Sequence, residues 1–206
     1  MQEYRENLAH PWHGVSTGEE SPEAVNVYIE LVPRDGIKYE LDKRSGLLKV
    51  DRPQRFSSYS PAPYGMIPRT YCGERVADIM ASATELKELK GDGDPLDIIV
   101  LTEKIVPHGD ILMTARPIGG LGLLDRGEAD DKLIAVLKDD AVYGQHDCLS
   151  DLPEDILTRL KHYFLSYKTG PDEEEPKCKV KTVYGREQAH ELIEASCRDY
   201  EDLIGD

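Results

Sequence analysis

Residues 91–100 read Gly91-Asp92-Gly93-Asp94-Pro95-Leu96-Asp97-Ile98-Ile99-Val100. The glycines and the proline disfavour a helix here, because glycine adds backbone freedom and proline lacks an amide donor. The stretch predicts a tight turn that leads into a buried strand, with Asp92, Asp94 and Asp97 at its mouth. Carboxylates this close repel one another, and Mg²⁺ or Ca²⁺ relieves the repulsion by binding their oxygens. The alternative is a solvated acidic turn.

A calcium-binding EF-hand loop does not fit this stretch. A loop that began at Asp92 would place acceptable ligands at Asp94 and Glu103. It would also need an oxygen ligand at Leu96 and a glycine at Asp97, and the sequence has neither. The strand-like run that follows also replaces the helix that an EF-hand requires.

The composition predicts one globular domain over residues 1–206, with an N-terminal extension over 1–23 and a surface insertion over 72–91. Of the 206 residues, 39% are hydrophobic and 32% are charged, as in soluble proteins. No apolar run approaches the roughly 20 residues of a membrane span. Residues 1–18 lack the apolar core of a signal peptide, so we expect a cytoplasmic protein.

The formal net charge is −15, which excludes nucleic acid as a partner because nucleic acid requires a basic surface. A small anionic substrate stays compatible if local Lys and Arg residues or bound cations meet it. The four cysteines form no Cys-x-x-Cys pair, so neither a zinc site nor a redox pair is indicated. We expect them to be small buried side chains.

Alternating apolar residues predict short strands over 24–32, 37–42, 47–50, 96–102, 111–118, 132–137 and 180–184. The prolines within residues 51–70 predict an ordered loop. Residues 72–90 predict a surface excursion whose helical part lies over 84–90.

Two helices are predicted near the C-terminus. Pro153 and Glu154 open the first, with Asp151 or Leu152 as its cap, and the second covers residues 187–200. Many strands followed by helices predict an α+β, mainly β fold. Its centre is a β-barrel or strongly curved sheet, with the two C-terminal helices packed outside.

A second acidic turn reads Asp125-Arg126-Gly127-Glu128-Ala129-Asp130-Asp131-Lys132 and also leads into an apolar strand. By itself it is equally typical of a solvated hairpin loop. Two such turns at strand mouths would bring five or six carboxylates together and hold more than one Mg²⁺. Paired metal ions clamp phosphoryl oxygens and lower the pKa of water.

Basic residues lie where such a site would need them. Lys38 and Glu40 are two apart on a predicted strand and share one face. Arg52 follows the third strand, and Tyr167 and Lys168 end a predicted helix. Each alone is typical of a surface, but together with the acidic turns they indicate a pocket for a small polyphosphate.

The stretch from Asp92 to Asp97 resembles the signature of the family I soluble inorganic pyrophosphatases. Further matching positions follow in order along the chain: Glu30, Lys38, Glu40, Arg52, Tyr64, Asp125, Asp130, Lys132, Tyr167 and Lys168. The resemblance spans about residues 25–200 and is nearest to the bacterial form.

The resemblance implies an OB-like five-stranded barrel with flanking strands, which hydrolyses pyrophosphate to two phosphates by metal-activated water. It implies three or four Mg²⁺ ions per site, with Mn²⁺ as an alternative, and a homo-oligomer that is a hexamer or a dimer. By the same resemblance the metal ligands are Asp92, Asp97, Asp125, Asp130, Glu30 and Glu40. The phosphate oxygens bind Lys38, Arg52, Tyr167 and Lys168. Asp94 is the general base, and Lys132 and Tyr64 shape the leaving-group side.

The sequence departs from the family pattern at Ser60 and Pro63, where a tyrosine and an asparagine are usual, and residues 72–91 are longer than in compact members. A catalytically silent module that binds phosphate or divalent metal is the main alternative function. Such a module would not need the base, and the chain keeps Asp94. A nucleotide phosphohydrolase is disfavoured because no glycine-rich nucleotide loop is present.

Overall fold

The computed structural model describes residues 9–55, 57–84, 86, 88–170, 172–173 and 175–205. Its strands are β1 (Val25–Leu31), β2 (Ile37–Leu41), β3 (Leu48–Pro53), β4 (Tyr64–Met66), β5 (Asp97–Leu101), β6 (Ile111–Asp125), β7 (Glu128–Ala129), β8 (Lys132–Leu137) and β9 (Cys178–Gly185). Its α-helices are α1 (Glu74–Thr84), α2 (Glu154–Ser166) and α3 (Arg186–Ile204). Among the described residues, no helix combines the length and apolarity needed to cross a membrane.

Five strands close into a ring. They pair in the order β1, β4, β5, β8 and β6, and β6 returns to pair with β1. The strands β7 and β9 extend β6 beyond the ring, while β2 and β3 form a separate hairpin. A closed ring satisfies the backbone of every member strand, which an open sheet edge does not. The mainly β, five-stranded barrel that was predicted is therefore confirmed.

The pairing of β5 with β8 positions the candidate site. These two strands are parallel, and Asp97 lies opposite Lys132 in the register. Parallel neighbours start at the same edge of a sheet, so the turns that precede them lie side by side. A parallel bridge between Gly91 and Ala129 extends this alignment into the turns themselves. Both acidic turns therefore meet at one end of the barrel.

The strand β5 is buried on both faces. One face of β5, with Ile98 and Val100, packs in a cluster with α3, and the other face, with Ile99 and Leu101, packs in a cluster with α2. Burial on two faces explains why β5 is a continuous apolar run and not an alternating one. Each fully buried aliphatic side chain contributes about 1.5–3 kcal/mol.

The helix within residues 72–90 lies at Glu74–Thr84, so its predicted position was wrong at residues 86 and 88–90, while residues 85 and 87 lie outside the described residues. Its start depends on a distant side chain. The carboxylate of Asp199, on α3, accepts hydrogen bonds from the backbone amides of Gly73, Arg75 and Val76. Local sequence could not reveal a cap supplied from more than 120 residues away.

Two strands differ from their predicted positions because glycines interrupt the alternation of apolar and polar residues that indicates a strand. The strand β4 lies within the predicted loop, and β6 continues to Asp125, beyond the predicted end at Ile118. A Cβ at Gly65 would lie 1.9 Å from the Tyr28 carbonyl oxygen, so this close strand approach requires glycine. The cap of α2 is Pro153, one residue after Leu152 and two after Asp151, the predicted alternatives.

The cysteines differ from one another in burial. Cys72 and Cys178 are buried, as predicted, whereas Cys148 and Cys197 are partly exposed. All four are free thiols.

An N-terminal arm, residues 9–23, packs onto the barrel. The indole of Trp12 is 5% exposed, and its Nε1 donates a hydrogen bond to the Thr70 carbonyl at 2.8 Å. The Thr70 hydroxyl in turn accepts a hydrogen bond from the Leu96 amide at 2.9 Å. The arm is thereby connected to the acidic turn that precedes β5.

Candidate active site

A cleft of about 220 Å³ opens where the two acidic turns meet. Twelve of the thirteen predicted site residues line it: Glu30, Lys38, Glu40, Tyr64, Asp92, Asp94, Asp97, Asp125, Asp130, Lys132, Tyr167 and Lys168. The thirteenth, Arg52, lines an adjoining cavity that shares Asp125, Tyr167 and Lys168 with the cleft. The structure therefore brings together residues that are spread over most of the sequence.

Lys132 lies at the centre of the acidic side. Its ammonium group is buried and pairs with the carboxylates of Asp97 and Asp130. Burial by itself would lower the pKa of Lys132, but Asp130 and Asp97 outweigh it and hold that pKa well above its usual range. The lysine therefore stays charged and holds two carboxylates in place.

Asp92 and Asp130 form a coupled pair. Burial raises the pKa of Asp92, while its neighbour Lys132 limits the rise. Burial also acts on Asp130, but Lys132 and a hydrogen bond from Asp92 hold the pKa of Asp130 below its usual value. The pair is therefore stable with one proton between two carboxyl groups, as expected for acids that share a small buried space.

Glu30 projects from β1 into the same cleft. Its Oε1 accepts a hydrogen bond from the Leu41 amide at 2.7 Å. Burial, together with the charge of Asp97, raises the pKa of Glu30 to about 8. A carboxyl group in this state ionises readily only when a cation comes close.

Cations also line the cleft, where they lie beside its carboxylates. The Lys168 ammonium lies 2.5 Å from Asp125 Oδ2 and 5.2 Å from the centre of the Tyr167 ring. Burial raises the pKa of Tyr167 to about 12, so its phenol stays protonated and can donate a hydrogen bond. On β2, the Lys38 ammonium lies 3.6 Å from Glu40 and 3.2 Å from Asp51.

Asp94, the predicted general base, is more exposed than its neighbours, and its side chain is 43% exposed. The Lys43 ammonium pairs with Asp94 Oδ1 and also donates to the Gly93 carbonyl at 3.3 Å. The same ammonium lies 5.9 Å from the centre of the Trp12 ring. The N-terminal arm therefore reaches Asp94 through Lys43.

Sequence reasoning missed several residues of the site. Tyr163 and Phe164 line the cleft from α2, and Glu128 lines it from β7. The sequence predicted this helix as one that packs outside the barrel, so neither Tyr163 nor Phe164 was assigned to the site. Lys43 follows Lys38 and Glu40 closely in sequence, yet no local feature indicates that it reaches Asp94.

The two departures from the family pattern lie just before Tyr64 in sequence, and neither residue lines the cleft. Ser60 is buried, and its hydroxyl donates to the Ala62 carbonyl at 2.6 Å. The Pro63 carbonyl accepts a hydrogen bond from the Val100 amide at 2.8 Å. Both residues therefore serve the local backbone, and the phenol that the structure brings to the cleft beside Tyr167 is that of Tyr163.

The donor set fits a hard divalent cation. None of the described cleft-lining residues is His or Cys, and the carboxylate oxygens are the ligands that Mg²⁺ and Ca²⁺ prefer. Asp125 Oδ1 is buried and makes no hydrogen bond within the described part of the chain. No three acidic, imidazole or thiol side chains among the described residues are placed to hold one ion together. The carboxylates instead pair with Lys132, Lys168 and Lys43.

A closed five-stranded barrel with a cleft of carboxylates, lysines and tyrosines defines a class of proteins that bind a small polyanion together with hard cations. The comparisons with known proteins identify the family within that class. The model of the inorganic pyrophosphatase family matches residues 27–201.

Inorganic pyrophosphatases from Chlamydia muridarum and Chlamydia caviae are both 47% identical to this chain. The first alignment covers 96% of this chain and 97% of the relative, and the second covers 94% and 92%. The crystal structure of inorganic pyrophosphatase from Thermus thermophilus superimposes with a TM-score of 0.77. The two sequences are 28% identical, and the superposition covers 94% of this chain and 99% of the Thermus thermophilus chain. The chain belongs to the inorganic pyrophosphatase family, which confirms the resemblance and implies a divalent metal cofactor.

Proposed function

We propose that this protein hydrolyses inorganic pyrophosphate to two phosphates. The observation that carries the proposal is the meeting of twelve predicted site residues in one cleft of a chain from the pyrophosphatase family. The reaction adds water across the P–O–P bridge: a water oxygen bonds to one phosphorus, and the bridging oxygen leaves with the other. Catalysis of this kind consists mainly of positioning and charge stabilisation.

The cationic side chains of the cleft bind the substrate. Lys38 and Lys168 supply positive charge to the phosphate oxygens, and Tyr167 donates a hydrogen bond from a phenol that stays protonated. Arg52, in the adjoining cavity, adds a planar guanidinium that can bind two phosphate oxygens at once. Lys132 and Tyr64 lie next to the carboxylates and stabilise charge that develops on the leaving phosphate.

Asp94 acts as the general base that accepts a proton from the attacking water. It is the carboxylate of the first acidic turn with substantial access to solvent, so water can reach it. Lys43 holds Oδ1 of this carboxylate and thereby limits its rotation. A positioned base contributes about 10² to 10⁴ in rate.

Asp92, Asp97, Asp125, Asp130, Glu30 and Glu40 would hold Mg²⁺, with Mn²⁺ as an alternative, and three or four ions would occupy the site. When bound, such ions neutralise the phosphate oxygens and lower the pKa of water. Asp125 Oδ1, which is buried and has no hydrogen-bond partner among the described residues, and the crowding of Asp92 against Asp130 support this assignment.

The test is phosphate release from pyrophosphate by the pure protein, with Mg²⁺ and with excess chelator. We expect release only with Mg²⁺, and little with Ca²⁺, because the larger and looser Ca²⁺ shell positions ligands less strictly. A silent binding module would bind pyrophosphate yet release no phosphate with any metal ion. Full activity in chelator would contradict the metal assignment.

We further propose a cytoplasmic homo-oligomer, a hexamer or a dimer. This proposal rests on the family resemblance. Light scattering coupled to gel filtration measures the mass of the particle directly, and a particle of one chain would contradict the proposal.

A further inference from the structure

A second cavity, of about 290 Å³, adjoins the cleft. Five cationic side chains line it, and we call them the cationic bay: Arg52, Arg55, Arg126, Lys168 and Lys177. The remaining lining residues are Asp125 and Tyr167, which also line the cleft. A molecule bound in the cleft can therefore extend into the bay past Tyr167 and Lys168.

The charge of the bay is opposite to that of the protein. The chain carries 40 acidic and 25 basic residues, yet the bay has five cations and one carboxylate. Lys168 pairs with that carboxylate, Asp125, the Arg52 guanidinium pairs with Asp51, and Lys177 pairs with Glu173 at 2.9 Å. Arg55 and Arg126 form no ion pair with any described residue. Unpaired guanidinium groups concentrated in an acidic protein indicate an anionic ligand.

The backbone at Arg126 supports a role for its side chain. Arg126 and Gly127 form the two-residue turn between Asp125 and Glu128, with φ values of +54° and +94°. Such turns favour Asn or Gly at the first position, because the left-handed region is strained for other residues. The turn thus keeps arginine at a cost in backbone energy and holds it beside Asp125, at the border between bay and cleft.

We propose that the cationic bay binds the third phosphoryl group of a linear inorganic polyphosphate whose other two groups lie in the cleft. The inference concerns binding, and it rests on the proposed function, since the cleft must first accept two phosphoryl groups. Every phosphoryl group of such a chain carries negative charge, which guanidinium groups bind through paired N–H donors. Arg55 and Arg126 would therefore bind the third phosphoryl group of tripolyphosphate, which pyrophosphate lacks.

The test is isothermal titration calorimetry of the full chain at low ionic strength in excess chelator, with pyrophosphate and with tripolyphosphate. The measured quantity is the ratio of their two dissociation constants. We expect tripolyphosphate to bind about 10-fold more tightly. The preference should fall several-fold in Arg126→Gln and disappear in the double variant Arg55→Gln, Arg126→Gln.

Arg34→Gln is the matched control. Arg34 is exposed, has a φ of +98°, and lines neither cavity. Its replacement removes the same charge from the same backbone region and should leave the preference intact. Circular dichroism of each variant checks that the fold is retained.

An unchanged ratio in both bay variants overturns the proposal, as does a lack of tripolyphosphate binding. Two pyrophosphates bound per chain, with the second lost in Arg126→Gln, also overturn it, because the bay would then take a separate anion. Pyrophosphate hydrolysis with Mg²⁺ is measured on the same preparations. Hydrolysis without an Arg126-dependent preference refutes the bay alone, whereas the preference without hydrolysis refutes the proposed function alone.

Discussion

Asp199 and Glu30 are both buried carboxylates, yet the protein surrounds them with opposite chemistry. Asp199, between α1 and α3, accepts hydrogen bonds from three backbone amides and from the Arg75 guanidinium at 2.8 Å. Glu30 faces the acidic cleft, where it accepts a hydrogen bond from the Leu41 amide and Asp97 lies close by. Donors surround the first carboxylate, and other acids crowd the second.

The difference separates residues that hold the fold from residues that serve the site. A carboxylate whose oxygens are satisfied stabilises the folded chain, because its removal leaves amide donors unpaired. A carboxylate crowded by like charges destabilises the folded chain unless cations are present. Substitutions should therefore divide into those that lower stability and those that lower activity, and five measurements test this division.

The largest expected effect is on activity, at Asp94. Asp94→Asn removes the proposed base and should lower turnover by about 10² to 10⁴ at saturating Mg²⁺, or roughly 3–5 kcal/mol of barrier. The free energy of unfolding should not fall, because no buried hydrogen-bond donor depends on the Asp94 side chain. Turnover against Mg²⁺ concentration is the measurement, with Asp92→Asn and Asp97→Asn as comparison variants that should need more metal. Restoration of Asp94→Asn by added metal would assign Asp94 as a ligand.

The next effect is on stability, at Asp199. Asp199→Ala should lower the free energy of unfolding by roughly 2–4 kcal/mol, because the first amides of α1 lose their acceptor. Asp202→Ala is the matched control: Asp202 contacts the same Arg75 at 2.6 Å but is 67% exposed, so its loss should cost less than about 1 kcal/mol. Urea denaturation measures both. Equal costs would refute the capping role.

The third effect is on the pH dependence of stability in chelator. The folded pKa of Glu30 is about 8, against an ordinary value of 4.5. The folded state therefore keeps a proton that the unfolded state has lost, so this contribution is full below about pH 4.5 and is lost as the pH rises to 8. The slope is at most about 1.4 kcal/mol per pH unit. Glu30→Gln should lack this slope, and Glu40→Gln should retain it. A wild-type slope in Glu30→Gln would refute the assignment.

Asp140 should behave with the opposite sign. Burial opposes its ionisation, but the Tyr143 amide, the Thr102 hydroxyl and the amides of Glu103 and Val142 outweigh it and lower the pKa of Asp140. Its stabilisation is present above the unfolded pKa and is lost as the pH falls through the folded pKa. Asp140→Asn should therefore be destabilised at pH 6 and differ less from the wild type in acid. An unchanged difference at both pH values would contradict this.

The smallest expected effect is at Lys43, which contacts both Trp12 of the N-terminal arm and Asp94 of the candidate site. Lys43→Met removes the ion pair with Asp94 and the contact with the Trp12 ring, each worth about 0.5–1 kcal/mol at an exposed site. Turnover should fall a few-fold, and the free energy of unfolding should fall by no more than about 1–2 kcal/mol. Lys49→Met is the control, since Lys49 pairs only with Asp42, at 3.5 Å, within the described residues. Equal turnover in both variants would remove Lys43 from the site.

Local patterns in the sequence predicted the features that depend on residues close together along the chain. The run after Asp97 and the run after Lys132 were both predicted as strands, and the acidic turns before them were both recognised. Nothing local shows that these strands are parallel neighbours, which is the fact that joins the turns. The family resemblance supplied that link.

Long-range contacts account for the errors. The start of α1 depends on Asp199, and the end of β6 is hidden by glycines that pack against another strand. A Cβ at Gly120 would lie 2.5 Å from the Tyr184 ring, so glycine there records a close approach and not a turn. Lys43 was given no role, because only the folded chain brings it to Asp94.

The N-terminal arm bears on how this protein is prepared for experiments. The family match begins at residue 27, so a recombinant chain trimmed to that boundary would keep all thirteen predicted site residues. It would nevertheless lose Trp12, which lies against Lys43 and is bonded to Thr70. For this chain, the choice of the first residue and the placement of an affinity tag therefore affect the contacts that hold Lys43 beside Asp94.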